Sequence, residues 1–201
     1  MSLHELKVDE SDYHREWVTI SKVVHIFKVL FNKEATKVLE KVNTFCDIDF
    51  QKHWQDWKRG IILDVDDCIA PHHWGIYTFN KDKINQLILL GWQIVIYSNM
   101  KNSDRYEELE NMGIEVIKSP YAKPNSAWFE ECVDKMWLDH TQIMMIWDNF
   151  LTDGWSIWAG IDFVKVDAIN KDIWEQSIWR KVQINMRDFA DRVAKLHGNI
   201  D

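Results

Sequence analysis

Cysteine, proline and glycine are all scarce, at 3, 3 and 7 residues in a chain of 201. Cys46, Cys68 and Cys132 stand at wide, irregular intervals, which fits neither a disulfide framework nor the paired spacing of a zinc site. They read as reduced thiols of a cytoplasmic protein. No stretch approaches the ~18 to 20 apolar residues of a bilayer span, and the opening MSLHELKVDESDYHREW lacks the apolar run of a signal peptide. No transmembrane segment is therefore expected. Clustered Lys and Arg are missing too, and the net charge is −8, so no positive stripe is offered to a phosphate backbone. General nucleic-acid binding is excluded, although the end of a short oligonucleotide is not. There is no internal repeat and no low-complexity segment.

What is present is a globular composition, 46% hydrophobic and 28% charged, enough for one sizeable core with an appendage. Twelve tryptophans are many for this length, and most sit in apolar segments such as IWDNF and WSIWAG, where packing explains them better than stacking on bases or sugars. From about Glu16 to Val42, Trp17, Ile20, Val23, Val24, Phe27, Leu30 and Phe31 recur at helical spacing, and Val18, Ile26 and Val29 widen the apolar face. So broad a face predicts burial against the main domain or against another copy of the chain. A membrane-surface helix is disfavoured because the polar face carries both signs of charge. His25 reads as a packed residue. Asn43 to Lys58 reads as a linker, dividing the chain into an N-terminal helical extension, 1–57, and a main domain, 58–201.

Within the main domain, strand and helix alternate. GIILDV, WQIVIYS, IEVIKS, QIMMIWD and DFVKVD are short apolar runs of strand type. KDKINQLILLG and SDRYEELENMG are helices that stop at Gly91 and Gly113, and NSAWFEECVDKMWL, LTDGWSIWAG and the stretch from Lys171 to His197 are helical as well. This order implies right-handed βαβ units, a mostly parallel sheet, and helices on both faces.

In such a sheet chemistry gathers at the carboxyl ends of the strands. IILDVDDC brings Asp64 and Asp66 to one strand end, where paired carboxylates call for a hard cation; acidic pairs there also serve as caps and turns. IVIYSNM delivers Ser98 and Asn99, able to hydrogen-bond a phosphoryl oxygen or simply to cap a helix. MMIWDNFLTD supplies Asp148 and, on the following turn, Asp153. AKP sets Lys123 before a helix start, where its charge can balance carboxylates and hold a phosphoryl group.

LDVDDC, YSN, AKP and WDNFLTD, in that order, resemble the motifs of the haloacid dehalogenase superfamily of phosphatases. Within it they are most similar to the YqeG-like group of subfamily IIIA, whose relatives include phosphatidylglycerophosphate phosphatases. The resemblance spans roughly Lys58 to Val166 and implies a three-layer Rossmann-like fold and a magnesium-dependent phosphomonoesterase. It implies Asp64 as the nucleophile that becomes an aspartyl phosphate, and Asp66 as the acid that protonates the leaving oxygen and later activates water. Ser98, Asn99 and Lys123 would hold the phosphoryl group. Magnesium would be bound by the Asp64 carboxylate, the Asp66 main-chain carbonyl and Asp148, with Asp153 orienting a bound water or Lys123. Two positions depart from the pattern: Cys68 stands where Thr is usual, and Trp147 where a small residue is usual.

The intervals from Asp64 to Ser98 and from Ser98 to Lys123 hold crossover helices and one flap, CIAPHHWGIY, but no cap domain. An open site for a phosphorylated small molecule or lipid head group is expected. On the flap, His72 and His73 read as loop residues, and Trp74 is the candidate for touching the organic part of the substrate. The competing readings are a nucleotidase of the same fold and a binding or scaffold protein with an impaired site, the latter motivated by Cys68, Trp147 and the N-terminal apolar face. That same face predicts a homo-oligomer.

Overall fold

A computed structural model of the protein describes residues 20–72, 74–98, 104–117, 127–169 and 178–201. Six strands form one sheet: β1 (Glu40–Val42), β2 (Gly60–Leu63), β3 (Gln93–Tyr97), β4 (Glu115–Ile117), β5 (Ile143–Trp147) and β6 (Asp162–Val166). Their order is β1-β6-β5-β2-β3-β4, and every pairing is parallel. From β2 the chain winds outward through β3 to β4, then returns to β5 and winds the other way through β6. The reversal falls between β2 and β5, where Leu63 lies opposite Ile146, and a crevice opens beyond the strands' carboxyl ends at such a switch point.

Both faces of the sheet are covered, so strand residues alternate between two cores rather than between core and water. Ile61, Leu63, Ile94, Ile96, Met144 and Ile146 pack under α2 (Phe50–Gln55), α3 (Thr78–Leu89) and α4 (Asp104–Asn111) through Phe50, Ile84, Leu87, Tyr106 and Leu109. Ile62, Val95, Tyr97, Met145 and Trp147 pack on the other side against α1 (Ile20–Phe31), α5 (Ala127–Met136), α6 (Phe150–Asp153) and α7 (Ile178–Leu196). The expected three layers are there, and the sheet is parallel throughout. Gly91 (φ 93°) and Gly113 (φ 82°) follow α3 and α4 in the left-handed region that favours glycine, as the sequence predicts.

Two expectations give way in the N-terminal part. The helical reading through Val42 ends at Phe31: the Asn32 side chain accepts the Glu34 N–H (3.0 Å) and starts a 3-10 turn, Lys33–Thr36, after which residues 40–42 add to the sheet beside β6. Asn offers the backbone this local bond in competition with a continuing helix. The Asn43–Lys58 linker is likewise structured, with a 3-10 turn at Phe45–Asp47 and α2 capped by Asp49, whose carboxylate accepts the Lys52 N–H (2.9 Å). Both elements are too short to show a period, and Phe45, Ile48 and Phe50 anchor them in the core. Helix α1 buries Val29, with Ile26 and Leu30 against the core, and exposes Val24, Phe27 and Phe31. The side chain of His25 is outside the described part of the molecule.

Tryptophan is divided more evenly than packing alone predicts. Trp92, Trp128 and Trp147 are buried, whereas Trp57 and Trp137 are exposed, each just beyond a helix at positive φ.

Candidate active site

The loop after β2 is wound tightly. The Val65 carbonyl accepts the N–H groups of Cys68, Ile69 and Ala70 (3.3, 3.1 and 3.0 Å), and Asp67 sits at φ 60°. Asp64 continues the sheet pattern by donating its N–H to the Ile146 carbonyl of β5 (3.3 Å). Asp64 and Asp148 are thereby set at the ends of neighbouring strands at the switch point, both buried.

Asp66 faces a cation that the sequence reading missed. Arg105, the second residue of α4, is 3% exposed and grips the Asp66 carboxylate with two parallel bonds, Nη1 to Oδ1 at 3.0 Å and Nη2 to Oδ2 at 2.7 Å. Nη1 also donates to the Trp74 carbonyl of the flap (3.1 Å). Burial opposes the guanidinium charge, but the Asp66 carboxylate holds its pKa above the ordinary arginine value. Ser98, buried at the end of β3, brings its Oγ to 3.5 Å from Asp66 Oδ2, and His72 Nδ1 lies 3.9 Å from Oδ1. His72, read as a plain loop residue, thus reaches the site. Tyr106 lies beneath, hydrogen-bonded to Ser98, and burial pushes its phenol up to about 12.

A second group of charges backs Asp148. Arg187 of α7 donates through Nη1 to Asp148 Oδ2 (2.6 Å) and Asp67 Oδ2 (3.0 Å), and Arg180 pairs with the same Asp67 oxygen. Lys165, 1% exposed in the middle of β6, donates to the Asp148 carbonyl (2.9 Å) and lies 3.3 Å from Asp191. Burial pushes the Asp148 carboxyl above the usual carboxylate range and Asp67 adds to this, with Arg187 and Lys165 pulling against it. For Arg187, burial opposes the charge, but Asp148 and Asp67 keep its pKa above the ordinary arginine value. Arg180 and Arg187 stand two turns apart on one helical face, and Lys165 interrupts an apolar strand. These were the available signals.

Of the residues singled out from sequence, Asp64, Asp66, Ser98 and Asp148 come to this edge. Asn99, Lys123 and His73 lie outside the described residues, and for Asp153 only the backbone position, at the end of α6, is described. Cys68 is packed in the core with its Sγ 3.8 Å from the Ile146 carbonyl oxygen, and Trp147 turns into the opposite core, its ring centroid 6.3 Å from that of Trp128. Neither departure from the motif pattern narrows the crevice. Among the described residues no three His, Cys, Asp or Glu side chains gather as a closed metal cage. Two buried carboxylates on adjacent strand ends, Asp64 and Asp148, are nevertheless hard oxygen donors of the kind a magnesium-like ion binds while keeping several waters.

No helix of the described residues is long and apolar enough to cross a membrane. Residues 20–157 match the model of the family described as mitochondrial PGP phosphatase. No curated protein matches the chain. Among solved structures, a 3-deoxy-D-manno-octulosonate 8-phosphate phosphatase from Yersinia pestis is 15% identical, with 72% of this chain and 85% of that one covered and a TM-score of 0.45. The cobalt-bound form of a deoxy-D-mannose-octulosonate 8-phosphate phosphatase from Haemophilus influenzae is 13% identical, with 70% and 90% covered and a TM-score of 0.43. An uncharacterized protein from Listeria monocytogenes serotype 4b is 17% identical, with 65% and 99% covered and a TM-score of 0.43. Likenesses of this size carry nothing about activity, so the assignment rests on the family match, which takes in more than half of the chain together with the strand ends bearing Asp64, Asp66, Ser98 and Asp148. With that match, the chain belongs to the mitochondrial PGP phosphatase family and is a phosphatase of the haloacid dehalogenase superfamily.

Proposed function

We propose that the protein hydrolyses a phosphomonoester on a lipid head group, of the phosphatidylglycerophosphate type, through an aspartyl phosphate on Asp64. The observation that carries this reading is the meeting of Asp64, Asp66, Ser98 and Asp148 at the β2–β5 switch point. An Asp64 carboxylate oxygen attacks phosphorus, forming the new P–O bond as the bond to the alcohol breaks, and Asp66 gives a proton to the departing oxygen. Water then attacks the phosphoaspartate, its proton returns to Asp66, and inorganic phosphate leaves. Ser98 donates to a phosphoryl oxygen, and Lys123 is proposed to balance its charge. The Asp64 carboxylate, the Asp66 carbonyl and Asp148 would hold Mg2+, with Asp153 supporting a bound water. The ion's chemistry is to neutralise charge on the phosphoryl oxygens.

The lipid-sized substrate is supported by the short β2–β3 interval, which holds α3 and a flap and leaves no room for a cap domain. The test is phosphate release from phosphatidylglycerophosphate in vesicles, with and without Mg2+, beside a panel of nucleoside monophosphates and an aryl phosphate. Mg2+-dependent release, lost in Asp64→Asn, is expected with a preference for the lipid. Turnover that survives Asp64→Asn removes the nucleophile from this scheme, and a preference for nucleotides makes the enzyme a nucleotidase.

A further inference from the structure

Arg105 has no part in the chemistry above, yet it is buried and grips the Asp66 carboxylate through both of its terminal nitrogens. A buried guanidinium that meets a carboxylate with two parallel bonds fixes the plane of that carboxylate, which a single-point ammonium cannot do. The fork occupies one lone-pair direction on each Asp66 oxygen, and each oxygen has another. The same Nη1 that bonds Oδ1 also bonds the Trp74 carbonyl, so one atom links Asp66 to the flap. Arg105 is itself held by its position at the start of α4, by Tyr106 beneath its guanidinium (5.4 Å to the ring centroid), and by burial on all sides.

We infer that Arg105 is a positioning residue: it aims the Asp66 carboxyl at the leaving-group oxygen, using the Trp74 carbonyl as its second anchor. A proton-transferring group must lie within hydrogen-bond reach of its target, and of the contacts to the Asp66 carboxylate described above the Arg105 fork is the one that meets both of its oxygens. Arg105 therefore matters most where the departing alcohol needs a proton. An alkoxide such as that of a glycerol head group needs one as the P–O bond breaks, whereas a nitrophenolate leaves without one.

This inference rests on the proposed role of Asp66, and the test separates the two. kcat/KM stops at release of the alcohol and does not see hydrolysis of the phosphoaspartate, so it isolates the step in which Asp66 acts as acid. In Arg105→Met, kcat/KM for glycerol phosphate is expected to fall by about a hundredfold, the scale of general-acid catalysis, and to fall far less for nitrophenyl phosphate. Arg105→Lys, with its charge kept but no fork, should lie between Met and wild type on the alkyl substrate. In an Asp66→Asn background Arg105→Met should add almost nothing, because two residues that act through one another are not additive. Equal losses on both substrates, or a full additional loss in the double variant, would overturn the inference. If Arg105→Met does not fold, Arg105→Lys and Arg105→Gln carry the same comparison. If Asp64→Asn keeps its nitrophenyl phosphate turnover, the proposed function fails first; if it does not and the leaving-group selectivity is absent, only the role of Arg105 falls.

Discussion

Arg187 is where the carboxylates of Asp67 and Asp148 converge, and its removal tests what compensates them in a dry place. Taking one partner out of a buried ion pair leaves the other uncompensated, at a cost of about 3–5 kcal/mol. Arg187→Met should lower the urea midpoint accordingly, and a change within the error of the midpoint would mean that Arg180 and Lys165 suffice. The contrast in legibility is clearest at this scale. Asp64, Asp66, Ser98 and Asp148 stand out in the sequence because each ends an apolar run, and the end of a parallel strand has a fixed address in the fold. Arg105, Arg180 and Arg187 lie in helices whose charge pattern is that of any solvated face. Only tertiary packing turns them inward.

At the level of elements, termini carry their own test. Trp137 ends α5 at φ 54°, 92% exposed, its N–H bonded to the Val133 carbonyl (3.1 Å). A non-glycine residue in this conformation costs ~1–2 kcal/mol, and glycine in its place gives up ~0.5–1 kcal/mol of chain entropy. Trp137→Gly should therefore raise the melting temperature, by an amount equivalent to about 1 kcal/mol or less. A lower melting temperature would show that the exposed indole has a contact worth more than the strain. Elements with a clear period, or with an apolar run bounded by Gly, were readable: β2, β3, β5, β6, α3 and α4 fall where the pattern puts them. Strand β1 was not, because three residues have no period and its burial is set by β6, which is remote in the chain. Helix α7 was readable as a helix but not as part of the site, since the motifs that mark the site end at Asp153 and the resemblance they carry reaches only to Val166.

Across the whole molecule, the sheet's single reversal gathers the acidic side chains at one edge, while an apolar surface is left elsewhere. Phe27 and Phe31 of α1 stack with ring centroids 6.5 Å apart, and Phe31 is 82% exposed. An exposed aromatic stripe of this kind is expected to drive self-association. Light scattering should give a mass above 24.1 kDa that rises with concentration, and a Phe27→Ser, Phe31→Ser variant should return to the monomer. A monomeric wild type at every concentration would reject that role for the helix. The net charge of −8 opposes such contact at low salt, so association should strengthen as salt screens it.

The arginines that face Asp67 and Asp148 belong to an element made after every strand of the sheet. A nascent chain on the ribosome can finish all six strands and still have bare acids where these cations will sit. A chain paused between Val166 and Ile178 thus holds the complete sheet without the arginines that compensate Asp67 and Asp148, and this edge settles only once the helix that follows has docked.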